Sequence, residues 1–297
     1  MYTNVVVGID GTDAGRDVLA VAETLAPSLK ELALVHVRVL EAPAPPRYGA
    51  AFDAETRDKS VRLLRAEQQR SAPAAETFSV LGPAVGTGLR DAAESRGADL
   101  LVVGSCHRSS VGRVLAGDNT RAAVHRAPCA AAVAPRGYHE CVKRPGLIGV
   151  AYDGSPHSEV ALAHARALAK EMGAGVLARH VVQLKVYGAG GWAPAVVEDP
   201  DAQIALAREH LGELGDVDLG VVIGALGEEL AAFSETVDVL VCGSRHNGIV
   251  RRVVLGTTSD FLVRDCACPL IITPAAVQTP HPPGRDDRVA VADLSGV

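Results

Sequence analysis

The chain has 297 residues, 48% of them apolar and only 3% aromatic, with a formal net charge of -6. That length holds one large domain or two of common size, with cores of small aliphatic side chains. Dispersed negative charge disfavours a broad nucleic-acid surface. The absence of both an apolar run of about 18 residues and a cleavable leader disfavours a membrane span or export, so the cytoplasm is the expected compartment.

From the N-terminus, VVVGID (5–10) reads as a buried strand, and Asp10-Gly11-Thr12 as a turn. The spacing of Val18, Val21, Ala22 and Leu25 then predicts a helix. LALVHVRVL from Leu32 is a second strand that runs into the Gly/Pro-rich EAPAPPRYGA and a polar, helix-compatible segment. TFSVLGPAVGTGLRDAAESRGADLLVVGS supplies a strand, a helix and a further strand ending at Gly104. A glycine loop, a helix from near Val114 and the last strand run, CAAAVAP, complete the unit.

The polar stretch PRGYHECVKRPG (135–146) interrupts the pattern, which then repeats. LIGVAYDGSPHSEVALAHARALA replays the first strand, turn and helix, and VLARHVVQL the second strand. DLGVVIGALGEELAAFSETVDVLVCGS and VVLGTTSDFLVRDCACPLIITP replay the remainder, with the second glycine-loop helix expected near Val253. The offset is 143 residues between Asp10 and Asp153 and 139 between Gly104 and Gly243. Each copy reads β-α-β-α-β-α-β-α-β, and its strands lack polar alternation, as when helices cover both sheet faces. The expectation is α/β: two tandem doubly wound, five-stranded parallel-sheet domains at 1–136 and 146–274, a linker at 137–145 and a disordered tail at 275–297. Within that tail, RVAVADL could add an edge strand.

The six cysteines include no CxxC and no zinc-type spacing, so reduced thiols and no metal site are expected. Cys266 and Cys268 stand two apart across a predicted helix end. More informative are the two strand-loop-helix glycine segments, GSCHRSSVGRVLAGDNTR (104–121) and GSRHNGIVRRVVLGTTSD (243–260). A helix N-terminus offers unpaired N–H groups and partial positive charge, and glycine admits a phosphate close to the backbone. Neither segment is a lysine-bearing P-loop, and GxGxxG is absent after both first strands. The spacing is G-2x-H-9x-G-T at Gly243, His246, Gly256 and Thr257, and G-2x-H-9x-G-D at Gly104, His107, Gly117 and Asp118.

With an aspartate after each first strand, these segments resemble the universal stress proteins, whose nucleotide-binding members carry G-2x-G-9x-G-[S/T] before the last helix. The resemblance spans residues 3–135 and 146–274. It implies an adenine nucleotide alpha hydrolase-like fold arranged as a pseudo-dimer through the last strands, with ATP, alone or with Mg2+, between the strand-edge loops. A homodimer is compatible with it. On that resemblance Asp153 contacts adenosine, the backbone near Val181 touches adenine, and Gly243, Gly256, Thr257 and Thr258 hold ribose and phosphates. The first-copy counterparts are Asp10, Val37, Gly104, Gly117 and Asn119.

Two departures bear on this. His246 and His107 replace the middle glycine; each is either a phosphate donor or a surface loop residue. Asp118 replaces the Ser/Thr. A lost hydroxyl hydrogen bond costs about 1 kcal/mol, but a carboxylate about 4 Å from a phosphate costs roughly 4 kcal/mol at intermediate dielectric. Repulsion decides, so the second domain is expected to bind nucleotide better. The aspartates also fit turn chemistry, with Thr12 and Ser155 as helix caps, and Arg113, Arg251 and Arg252 are either phosphate donors or solvated surface. No catalytic constellation is present, which favours a binding module of little or no turnover over a slow ATPase or a nucleotide-free scaffold.

Overall fold

The computed structural model describes residues 1–39, 49–105, 118–184, 186–187, 196–197, 199–244 and 252–274. The first half runs β1 (Asn4–Gly8), α1 (Asp13–Leu25), β2 (Glu31–Val39), α2 (Gly49–Ser71), β3 (Glu76–Gly82), α3 (Val85–Ser95), β4 (Leu100–Gly104), α4 (Asp118–Val124) and β5 (Ala130–Ala134). The second runs β6 (Leu147–Ala151), α5 (Pro156–Met172), β7 (Gly175–Val182), the short pair β8 (Val186–Tyr187) and β9 (Val196–Val197), and α6 (Pro200–Leu211). It continues with β10 (Asp218–Ile223), α7 (Leu226–Ser234), β11 (Val239–Gly243), α8 (Thr257–Asp265) and β12 (Leu270–Thr273).

Strand β1 shows why the apolar runs do not alternate. Val5 and Val7 pack into a layer with Val18 and Leu25 of α1, while Val6 faces Leu89 of α3 on the other side of the sheet. Both faces are dry, so each position gains from an aliphatic side chain. The strand order is β10-β7-β6-β11-β12-β5-β4-β1-β2-β3. Each half is therefore a parallel five-stranded sheet whose first strand lies between its second and its fourth. Where connections leave such a central strand in opposite directions, a crevice opens at the strands' carboxyl ends.

The halves join edge to edge. Strand β12 pairs antiparallel with β5, Ile271 opposite Ala132, which makes one ten-stranded sheet and covers two edges that would otherwise be open. Bonds across the join also fix the approach to α8: Arg126 N–H donates to the Val253 carbonyl at 2.6 Å and Val253 N–H to the Ala127 carbonyl at 3.0 Å. Arg126 adopts φ 69° to do so. Because these bonds hold Val253 against the first half, α8 starts at Thr257 and not near Val253, a correction to the sequence expectation. Arg252 pairs with Glu94 at 2.7 Å, and Arg121 with Asp260 at 2.5 Å, both across the same boundary.

The stretch expected to be a linker is anchored. A short 3-10 turn, Tyr138–Glu140, packs on α1, where the buried Asp17 carboxylate accepts from Gly137 N–H and His139 N–H, each at 2.9 Å. The expected disordered tail, 275–297, lies outside the described residues.

Candidate functional site

At the carboxyl ends of β6, β7 and β11 lies a cavity of about 170 Å³. Five residues expected from the sequence line it: Asp153, Val181, Gly243, Gly256 and Thr258. Thr257 opens α8, is exposed, and stands outside the lining. His246 lies outside the described residues.

Local chemistry explains the placement. Asp153 Oδ1 accepts from Ser155 N–H at 3.1 Å, Gly154 takes φ 74°, and the Ser155 side chain caps α5 by accepting from Ser158 N–H at 3.3 Å. The turn-and-cap reading thus applies, and the same turn leaves the Asp153 carboxylate exposed at the cavity mouth. Opposite it, Gly256 N–H donates to Ser259 Oγ at 2.9 Å and Gly256 caps α8. The first turn of α8 therefore presents its unpaired donors and dipole to the cavity. Aspartate and helix N-terminus, of opposite electrostatic sign, thus line one crevice.

Gly243 is required by packing. A Cβ there would lie 2.4 Å from the carbonyl oxygen of His157, so the end of β11 lies directly on the first turn of α5. At Gly104 the corresponding contacts are looser, 3.3 Å to Ala14 Cβ and to Val18 Cγ2. The sequence argument invoked glycine for close approach of a phosphate; at Gly243 the geometry first requires it for close approach of a helix.

Several lining residues were not foreseen. Arg179 projects from β7 with its guanidinium carbon 4.6 Å from the Phe233 ring centroid. It has no carboxylate partner among the described residues, and its buried Nε has no hydrogen-bond partner. The buried His157 Nδ1 is likewise without a partner, while His180 Nδ1 lies 2.9 Å from the Tyr152 carbonyl oxygen. The signal was available in the repeat: Arg179 aligns with Val35, and His157 with Ala14. A guanidinium where the first copy has valine is the more telling departure.

The first half has a matching cavity of about 300 Å³, lined by Asp10, Val37, Gly104 and Asn119. Gly117 and His107 lie outside the described residues, as does the side chain of Asp118, whose backbone opens α4. Asp10 Oδ1 accepts from Thr12 N–H at 2.9 Å and from Thr12 Oγ1 at 2.7 Å. His36 Nδ1 lies 2.8 Å from Ser60 Oγ, and burial, partly opposed by the nearby Asp10, lowers the His36 pKa. With Val35 and Ala14 in place of Arg179 and His157, the first cavity is the wider and lacks that guanidinium.

Among the described residues no group of three or more His, Cys, Asp or Glu side chains could hold a metal ion, and no helix is long and apolar enough to cross a membrane.

Two doubly wound units, each with a crevice at the carboxyl ends of its strands, define the class as a tandem α/β fold with mainly parallel strands. The universal stress protein family profile matches residues 1–135 and again 147–274, and the chain belongs to that family. A universal stress protein of Mycobacterium tuberculosis is 27% identical over 296 residues, covering 90% of this chain and 96% of its own. Another from the same organism is 29% identical over 204 residues, 64% of this chain and 69% of its own. Among solved structures, a universal stress protein from Archaeoglobus fulgidus superposes with a TM-score of 0.65 over 93% of this chain and 100% of its own, at 18% identity, a likeness of fold.

Proposed function

We propose that this chain is a nucleotide-binding universal stress protein, a regulatory module of little turnover whose second domain is the stronger ATP site. The observation that carries the reading is the grouping around one cavity of the Asp153 carboxylate, the N-terminus of α8 and the Arg179 guanidinium, whose buried Nε has no hydrogen-bond partner among the described residues. Asp153 and Val181 take the nucleoside, and Gly256 and Thr258, with the N–H groups of α8, take phosphate oxygens; Mg2+, if it accompanies ATP, is held chiefly by the phosphates. A cation beside a helix N-terminus attracts an anion, and occupancy then favours whichever arrangement of the two halves binds it best. Two arguments rank the domains: Asp118 opens α4 in the first, and Arg179 replaces Val35 in the second. Paired halves in one ten-stranded sheet provide a path by which occupancy alters a partner surface.

Calorimetric titration of the full chain with ATP tests this. The expected outcome is saturable binding that Asp153→Ala weakens at least tenfold and Asp10→Ala weakens less. No heat at millimolar ATP, or a larger effect of Asp10→Ala, would overturn it. Phosphate release below one turnover per bound ATP over hours is expected; sustained multiple turnover would contradict the binding-module reading.

A further inference from the structure

Beyond the nucleotide cavity, the second half carries a pair of thiols that the first half lacks. The chain leaves α8 at Cys266 in extended conformation, φ -71° and ψ 132°, and starts β12 four residues later. The chain bends at Ala267 and Cys268, and the Cys266 and Cys268 sulfurs lie in contact, 4.0 Å apart. Cys268 is buried against β12, while Cys266 is half-buried. In the first half the aligned positions are Ala127 and Cys129, so the repeat supplies its own control: one buried thiol there, two adjacent thiols here.

We propose that Cys266 and Cys268 are a hydroperoxide-oxidised dithiol, a modification site unique to the second domain. Cys266 is the attacking residue and Cys268 the resolving one. The surroundings divide these roles. Contact with Cys268 holds the Cys266 thiol below its usual range against the opposing effect of burial, and the backbone N–H groups of Cys268 and Ala267 add to the lowering. Contact with Cys266 and burial push Cys268 the other way, so it keeps its proton. A partly exposed thiol of lowered pKa in contact with a second thiol is the arrangement of a redox-responsive cysteine pair. The nearby Cys242 is no competitor: it is buried in β11 and burial pushes its thiol up to about 12.

The chemistry balances with one peroxide. The Cys266 thiolate attacks a peroxide oxygen, the O–O bond breaks, and the other oxygen leaves as hydroxide or alkoxide and takes up a proton. Cys266 is then a sulfenic acid. The Cys268 sulfur attacks it, an S–S bond forms, the S–O bond breaks, and the hydroxyl leaves with the Cys268 proton as water. Two electrons pass from the two thiols to the peroxide, and a thiol reductant reverses the change.

The test treats the full chain with hydrogen peroxide, alkylates remaining thiols and digests with trypsin, which places both cysteines in one peptide, 265–285. The expected product is that peptide unalkylated and two hydrogens lighter, restored to double alkylation by dithiothreitol. In Cys268→Ala, dimedone labels Cys266; in Cys266→Ala, which copies Ala127, Cys268 stays alkylatable. Peptide 265–285 remaining fully alkylated while the exposed Cys141 is oxidised would overturn the proposal. So would a bond from Cys266 to Cys242, or dimedone labelling of Cys268 in place of Cys266. Circular dichroism of each variant verifies that the fold is retained.

Discussion

Replacing Gly243 by alanine puts a methyl group 2.4 Å from the His157 carbonyl oxygen and 2.7 Å from its carbon. Carbon and oxygen in ordinary contact stand about 3.2–3.5 Å apart, so the end of β11 and the first turn of α5 must separate by nearly 1 Å. The obstacle is backbone, which cannot rotate aside, and overpacking of this kind costs about 1–3 kcal/mol. The same substitution at Gly104 meets only Ala14 and Val18 side chains at 3.3 Å, a gap closed by a few tenths of an ångström, so its cost stays below about 1 kcal/mol. Urea unfolding of the two variants is the assay: Gly243→Ala should lower the midpoint clearly and Gly104→Ala little. Because the displaced turn carries Ser155, His157 and Ser158 of the cavity wall, Gly243→Ala should also weaken ATP binding. Equal destabilisation by both variants would refute the packing argument.

Three further outcomes follow from named contacts. Arg179→Val, which copies Val35, should weaken ATP binding about tenfold or more, the scale of a charge-assisted hydrogen bond. Stability should hold within about 1 kcal/mol, because the half-buried Arg179 makes no ion pair among the described residues and its removal relieves rather than breaks a charge contact; a large fall in the urea midpoint would contradict this. Burial lowers the His164 pKa from 6.5 to about 4 beside the Tyr2 ring, whose centroid is 5.9 Å away. Between those values the unfolded chain binds the extra proton, so His164 favours the folded state fully above pH 6.5, and that advantage falls away as pH drops towards 4. The loss reaches at most about 3 kcal/mol. Urea midpoints between pH 7 and 4.5 should show a slope that His164→Gln reduces; an unchanged slope would count against it. Finally, Glu94→Ala should cost less than about 1 kcal/mol, since the Arg252–Glu94 pair is solvent-exposed; a urea-derived loss clearly above that bound would contradict it.

The repeat carried most of the fold. Matching strand runs, turns and helices separated by 143 and 139 residues implied two equivalent sheets, and the uniform burial of Val5, Val6 and Val7 shows why their lack of alternation was informative. Asp10 and Asp153, with Gly104, Gly243 and Gly256, could be read because strand ends and helix caps leave strong local signatures. Contacts between distant segments leave none. The start of α8 depends on bonds from Val253 to Arg126 and Ala127, and Arg252, open to reading as a phosphate donor, is paired with Glu94. Arg179 stood in plain view, but its place in the cavity depends on Phe233, far along the chain. The contact of Cys266 with Cys268 likewise depended on the bent path between α8 and β12, which the sequence did not specify.

The central claim is that the second domain holds the nucleotide, and photolabelling of the full chain with 8-azido-ATP tests it most directly. The account predicts label on peptides from 146–274, concentrated near Val181 and Asp153, and competed away by ATP. Label confined to residues 1–136, or label that ATP does not displace, would contradict it.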